Sequence, residues 1–199
     1  LYPRIDMTKG KSDIVASEFP VFNYSVYLVS KIFGYDHWYG RLINLIISSV
    51  GIYFFYLIVK RYFGENISFF SGLVLLSSIW FAYSRKIMPD TFSVSLMIMS
   101  LYCLSRFLDK GSFLFIIFFF LLSCAGGLSK IPSTVILSVV WIPLLIKNIP
   151  INRKIMIGVA SALSVSIICL WYFYWQPYLL NTYQNQLYFS YSFQDGLKE

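Results

Sequence analysis

The chain has 199 residues, of which 58% are hydrophobic and only 13% are charged, with a formal net charge of +7 and a mean hydropathy of +0.67. Because an ordinary soluble domain is about 25% charged, a soluble fold would have too little polar surface to cover these apolar runs. The basic residues separate apolar runs and form no stripe, so nucleic acid is excluded as a partner. Composition therefore predicts a membrane protein whose cations indicate its topology.

Residues 1–41 are predicted to form an extracytoplasmic loop that contains one interfacial helix, at 19–33. This helix is too short to span a membrane, and its polar residues fall on a single stripe: Asn23, Tyr27, Ser30 and Lys31. An apolar helix with one polar stripe lies in the membrane interface. Pro20 suits its first turn and Gly34 suits its end.

A helix needs about 20 apolar residues to cross the hydrocarbon core of a bilayer. Six stretches are candidate spans: 42–59, 67–83, 91–105, 112–128, 131–146 and 155–175. The fourth and fifth are separated by "AGGLSKIPS" (125–133), whose glycines, lysine and proline predict a helical hairpin. The sequence thus predicts an all-α, polytopic transmembrane helix bundle over 42–175, followed by an extracytoplasmic segment, 176–199.

The distribution of Lys and Arg predicts the orientation of these spans. Six spans put both flanks on the same side as the loops 84–90 and 129–130. Those two loops hold three cations: Arg85, Lys86 and Lys130. The opposite loops hold seven: Lys60, Arg61, Arg106, Lys110, Lys147, Arg153 and Lys154. The positive-inside rule therefore predicts a multi-pass protein of the cytoplasmic membrane with the loop 84–90 outside the cytoplasm.

The outer loop "SRKIMPD" carries charges that topology does not require. Arg and Lys donate several charge-assisted hydrogen bonds to a phosphate, so Arg85, Lys86 and Lys130 are candidate ligands of an anionic lipid headgroup. Carboxylates at Glu18 and Asp90 are candidates for a general base or for holding a divalent metal ion.

Each of these residues also has a plainer interpretation. Arg85 and Lys86 would anchor a helix end among lipid headgroups. Asp90 would be the N-cap of the helix that follows it, and Glu18 would cap the interfacial helix. Lys130 would be a solvated lysine in a turn.

Four short motifs occur in order along the chain: Glu18–Pro20 ("EFP"), Phe63–Gly64 ("FG"), Arg85–Asp90 (Arg-x-x-x-Pro-Asp) and Leu128–Lys130 ("LSK"). In this order they resemble the GT-C superfamily of polytopic glycosyltransferases. More narrowly, the chain resembles the bacterial branch related to protein O-mannosyltransferases and lipid A aminoarabinose transferases. The resemblance extends from about residue 1 to residue 175.

This resemblance implies transfer of a sugar from a polyprenyl-phosphate carrier to a glycan, lipid or protein acceptor at the outer face of the membrane. Many relatives have a lysine where this chain has Phe19, so phosphate binding is expected from Arg85 and Lys130, with Lys86 beside them. Glu18 is expected to be a supporting or metal-binding carboxylate and Asp90 another supporting one. A divalent metal ion is the one possible cofactor.

The main catalytic aspartate of such enzymes lies in the first outer loop, shortly after the first transmembrane helix. That helix has no counterpart before "YPRID" (2–6), which resembles the later part of the loop. We therefore expect this aspartate upstream of Leu1.

Two alternative kinds of function stay open. One is a lipid-linked oligosaccharide flippase or polymerase. A flippase would line a central cavity with polar residues within its spans, and apart from Arg106 these spans carry no ionisable residue. The other is a purely structural membrane subunit, in which all spans serve packing and small residues such as Gly158 and Ala162 make close helix contacts.

Overall fold

The computed structural model describes residues 18–183, which are mostly helical and contain no β-strand within that range. The α-helices are α1 (Val21–Phe33), α2 (Tyr39–Phe63), α3 (Glu65–Leu76), α4 (Ile79–Ala82), α5 (Pro89–Lys110), α6 (Phe113–Ser129), α7 (Trp141–Leu145), α8 (Ile151–Cys169) and α9 (Gln176–Tyr183). Two 3-10 helices, Tyr83–Arg85 and Ile131–Val140, and a π-helix, Leu170–Trp175, lie between them. The prediction of an all-α fold is confirmed.

The chain divides into two compact units. The larger is Pro20–Ile168, which contains α1 to α7 and almost all of α8. Of the described residues, the smaller contains Glu18 and Phe19 together with 169–183. Within the smaller unit the ring of Phe19 packs edge-on against Trp171, with the ring centroids 4.7 Å apart.

Within residues 18–183, three helices are long and apolar enough to cross a membrane: α2, α5 and the continuous helix Ile151–Leu179. A fourth span results if α3 and the helical segment Ile79–Arg85, which are bent by 51° relative to each other, count as one broken helix. The two remaining apolar helices, α6 and Ile131–Leu145, are shorter. Each of the six predicted spans therefore coincides with an apolar helical segment.

The fifth predicted span gains length from its type of helix. A 3-10 helix rises about 2.0 Å per residue and an α-helix about 1.5 Å. Ile131–Val140 together with α7 therefore extends about 28 Å, close to the roughly 30 Å of the hydrocarbon core. Hydroxyl groups support the tight winding, because Ser133 donates to the Lys130 carbonyl at 2.8 Å and Thr134 to the Ile131 carbonyl at 2.6 Å.

Two helices, α1 and α2, end at glycines, and the first of these was predicted. Gly34 ends α1 with φ 84°, and Gly64 ends α2 with φ 87°, a conformation that glycine adopts without steric cost. The predicted interfacial helix begins at Val21, directly after Pro20, two residues later than expected. On its polar stripe Asn23 and Tyr27 are exposed. Its position in the membrane interface stays a prediction.

In the larger unit, α5 packs against α2 on one side and α6 on the other. One apolar cluster joins α5 to α6, the second 3-10 helix and α8, with Phe107, Phe119 and Ile157 fully buried. A second cluster joins α5 to α1 and α2, where Phe22 and Phe92 meet with ring centroids 5.4 Å apart. The helix α5 is thus the common neighbour on which the other helices are placed.

Small residues bring α5 close to both neighbours. A Cβ added at Gly51 of α2 would lie 2.6 Å from Ser95 Cβ, and one added at Gly126 of α6 would lie 3.1 Å from the Ser93 carbonyl oxygen. Helices in lipid associate through such close packing because burial of apolar surface drives them together only weakly.

The small residues predicted at close contacts are not the ones that make them. A Cβ at Gly158 would meet nothing within 4 Å, and Ala162 is exposed. That expectation from sequence is wrong, because both residues lie on a face of α8 away from its packed side.

The close approach of α2 and α5 predicts a contrast between two glycines. Gly51→Ala should destabilise the protein by about 1–3 kcal/mol, the usual cost of overpacking, because the new methyl overlaps Ser95. Gly72→Ala is the matched control in α3, with open space around the new methyl, and should stabilise by about 0.5–1 kcal/mol. Unfolding in detergent micelles measures both. Equal stability of the two variants would contradict the packing described.

Candidate functional site

The loop predicted to bind lipid phosphate connects the first 3-10 helix to α5. Arg85 is the last residue of the 3-10 helix, and Lys86 is extended, with its Nζ 4.5 Å from the ring centre of Tyr83. Ser84 is buried and donates to the Phe81 carbonyl at 2.6 Å, which fixes the turn before the loop. Both cations are exposed at the surface.

Among residues 18–183, Arg85 makes no hydrogen bond and no ion pair. Its guanidinium therefore keeps all of its donors for a ligand or for water. The structure places Arg85 and Lys86 on the same loop as Asp90, as the sequence requires.

Asp90 and Lys130 come together although Asp90 lies in the first turn of α5 and Lys130 lies in the turn after α6. The Lys130 Nζ lies 3.6 Å from Asp90 Oδ1, and both side chains are partly exposed. The predicted N-cap role of Asp90 is wrong, because α5 begins at Pro89 and Met88 occupies the N-cap position without a side-chain cap. Asp90 lies in the first turn, where its charge also complements the helix dipole.

Buried hydroxyl groups hold the Lys130 turn against α5. Ser93 Oγ lies 2.7 Å from the Gly126 carbonyl oxygen and 2.7 Å from Ser133 Oγ. Ser133 in turn donates to the Lys130 carbonyl at 2.8 Å. The predicted hairpin at 125–133 is confirmed, and its turn is fixed next to the first turns of α5.

One residue of the site was missed in the sequence analysis. Asn44 of α2 is fully buried, and its Nδ2 donates to the carbonyls of Lys86 at 2.9 Å and Met88 at 3.0 Å. Its Oδ1 accepts a hydrogen bond from Thr91 Oγ1 at 2.9 Å. The available signal was an amide inside an otherwise apolar run, "RLINLIISS".

Glu18 belongs to the smaller unit, directly before Phe19, and is half-buried. Within residues 18–183 no three Asp, Glu, His or Cys side chains are grouped to hold a metal ion. The described residues therefore do not fit a metal site, and we derive no step through a metal. The supporting role of Glu18 stays a prediction.

Two arginines at the opposite end of the bundle have protein partners. Arg61 forms a two-pronged ion pair with Asp109 and donates to the Ser105 carbonyl at 2.9 Å. Arg153 of α8 donates to the Leu108 carbonyl at 2.6 Å. These arginines connect α2, α5 and α8, whereas Arg85 connects no elements by hydrogen bonds within the described range.

An apolar groove of about 590 Å³ lies between α2 and α3. It is lined by Phe55, Asn66, Ile67, Phe70, Ser71, Val74, Leu75 and Ser78. No charged side chain lines the groove, so it has no group for phosphate or proton transfer.

A helical bundle with these apolar spans, in which the loop of Arg85 and the Lys130 turn both adjoin the start of α5, defines a polytopic membrane protein. The family model described as dolichyl-phosphate-mannose-protein mannosyltransferase matches residues 17–175. The chain belongs to this family and is a membrane glycosyltransferase of the GT-C type. No curated protein and no solved structure gives a significant match.

The contacts around the Lys130 turn predict which substitution weakens the fold. Ser93→Ala should lower the free energy of unfolding by about 1–3 kcal/mol, because it leaves buried polar partners without their hydrogen bonds. Lys130→Ala should change it by less than about 1 kcal/mol, since its ion pair is partly exposed. Unfolding in detergent micelles distinguishes them, and a larger loss for Lys130→Ala would contradict this assignment.

Proposed function

We propose that the protein transfers a sugar, with mannose as the first candidate, from a polyprenyl-phosphate-linked donor to a glycan, lipid or protein acceptor at the outer face of the cytoplasmic membrane. The name of the matching family describes transfer of mannose from a lipid phosphate. The observation that supports the proposal most is Arg85, an exposed arginine without a described protein partner, on the loop that leads into α5, whose first turn carries the Asp90 that pairs with Lys130.

Cleavage of the donor requires stabilisation of its phosphate. The bond between the sugar's anomeric carbon and the phosphate oxygen breaks, and its electron pair remains on the phosphate. Cations held near that oxygen stabilise the developing charge. Arg85 is suited to this role because its planar guanidinium can donate two parallel hydrogen bonds to one phosphate. Lys130 and Lys86 would add positive charge on either side.

The acceptor's hydroxyl or amine attacks the anomeric carbon and gives up its proton to a carboxylate. Asp90 is engaged with Lys130, so we assign it the supporting role of holding that lysine beside the loop. Glu18 is proposed as the second supporting carboxylate. We assign the base itself to no residue within 18–183.

The proposed outward orientation rests on the positive-inside rule and is supported by a difference between the ends of the bundle. The more cationic loops lie at the end where Arg61 and Arg153 connect helices. The other end carries the loop with Arg85. A lipid-linked donor would reach this end from the outer leaflet, beside α1 if that helix lies in the interface.

The proposal predicts that Arg85→Ala lowers transfer from polyprenyl-phosphate mannose by roughly 10- to 100-fold, the equivalent of losing a charged hydrogen bond. Lys130→Ala should act in the same direction. Lys110→Ala removes an exposed cation at the other end of α5 and should leave the rate unchanged. Initial rates with the full-length protein in lipid nanodiscs measure this, and normal turnover of both Arg85→Ala and Lys130→Ala would exclude their role.

A further inference from the structure

We propose that Asn44 is a positioning residue for the phosphate-binding loop, holding that loop in the geometry in which Arg85 binds lipid phosphate. The inference rests on the proposed function, because it assigns a cause to the position of Arg85. Asn44 touches neither substrate nor reacting atoms in this role. It acts through the backbone of the loop.

The hydrogen bonds of Asn44 hold the chain at three residues that follow Arg85. Its Nδ2 holds the carbonyl of Lys86, which directly follows Arg85, and the carbonyl of Met88, which precedes Pro89. Its Oδ1 holds the hydroxyl of Thr91, the residue after Asp90. The Asn44 side chain therefore ties the backbone at Lys86 and Met88 and the hydroxyl of Thr91 to one point of α2.

The Asn44 amide makes three hydrogen bonds, two of them to loop carbonyls. Asn44 is fully buried, and so is Thr91. Without the amide the carbonyls of Lys86 and Met88 lose these hydrogen bonds, which loosens the loop from α2. The loop conformation is thus coupled to the identity of one side chain in an apolar helix.

A second contact of α2 supports the same arrangement. Gly40, one turn before Asn44, is buried, and a Cβ added there would lie 3.1 Å from Ile87 Cγ2. The absence of a side chain at Gly40 lets Ile87 pack directly on α2, between the two carbonyls held by Asn44. The loop is therefore held at three consecutive residues while Arg85 stays exposed.

A positioning role and a purely structural role predict different effects of an Asn44 variant on the binding of lipid phosphate. The difference is whether the effect depends on the presence of Arg85. If Asn44 only stabilised the fold, the folded fraction of a variant would bind lipid phosphate normally. If Asn44 positions Arg85, its loss weakens binding while Arg85 is present and has little further effect once Arg85 is gone. A double-mutant cycle measures this dependence.

The test uses the full-length protein in lipid nanodiscs and polyprenyl phosphate as the probe. Asn44→Asp keeps the shape and the acceptor for Thr91 but replaces the amide donor that holds the two carbonyls. Thr91→Val is a second, milder variant that removes the donor to Asn44 Oδ1. Ser48→Ala is the control, since Ser48 lies one turn further along α2, is fully buried, and its hydroxyl has no hydrogen-bond partner in the part of the chain that the structure describes.

We expect Asn44→Asp to raise the Kd for polyprenyl phosphate about 10-fold or more, in line with the cost of small displacements at a site. Thr91→Val should raise it less, and Ser48→Ala should leave it unchanged. In an Arg85→Ala background, Asn44→Asp should add less than about 2-fold. Unfolding measured on the same samples identifies any variant that fails to fold, and Thr91→Val then carries the cycle.

Two results would overturn the positioning role and leave the proposed function intact. One is that Asn44→Asp raises the Kd by the same factor with and without Arg85. The other is an unchanged Kd in folded Asn44→Asp and Thr91→Val. An unchanged Kd in Arg85→Ala alone would overturn the phosphate contact itself, and this inference with it.

Discussion

The close packing of α5 against α2 and α6 is the constraint on which the rest of the structure depends. Apolar burial drives helices together only weakly in lipid, so small residues and interhelical hydrogen bonds determine where they meet. Gly51 and Gly126 allow the approach on the two sides of α5. Asn44 and Ser93 then supply hydrogen bonds on those same sides. Loss of the Asn44 hydrogen bonds would release the loop before α5. Loss of the Ser93 hydrogen bonds would release the turn at Lys130.

This packing fixes the backbone at the end of the bundle that carries Arg85, Lys86 and Lys130. The turn at Lys130 is fixed by hydroxyl groups, and the loop before α5 is fixed by an amide, so the charged side chains need not hold the fold. At the other end, Arg61 and Arg153 themselves connect helices. Arg85 makes no such contact within residues 18–183, so a ligand that binds its guanidinium has only water to displace.

Much of the fold could be predicted from sequence because hydropathy and turn residues are local signals. All six apolar stretches are helical, and Gly34 ends α1 as expected. Contacts between distant residues could not be read in this way. The Asn44 amide donates to backbone carbonyls 42 and 44 residues away. Every residue has a backbone carbonyl, so the residue type does not indicate which one is the partner. The 3-10 geometry of Ile131–Val140 was likewise not predicted, since long 3-10 helices are uncommon.

The most direct test of the central claim is a structure of the full-length protein in lipid nanodiscs with polyprenyl phosphate bound, determined by electron cryomicroscopy. We expect phosphate density next to the Lys130 ammonium and within about 3 Å of the Arg85 guanidinium, which is the distance of a charged hydrogen bond. We also expect Asn44 to keep its contacts to the loop. A phosphate bound elsewhere, with Arg85 turned toward bulk lipid headgroups, would contradict the central claim.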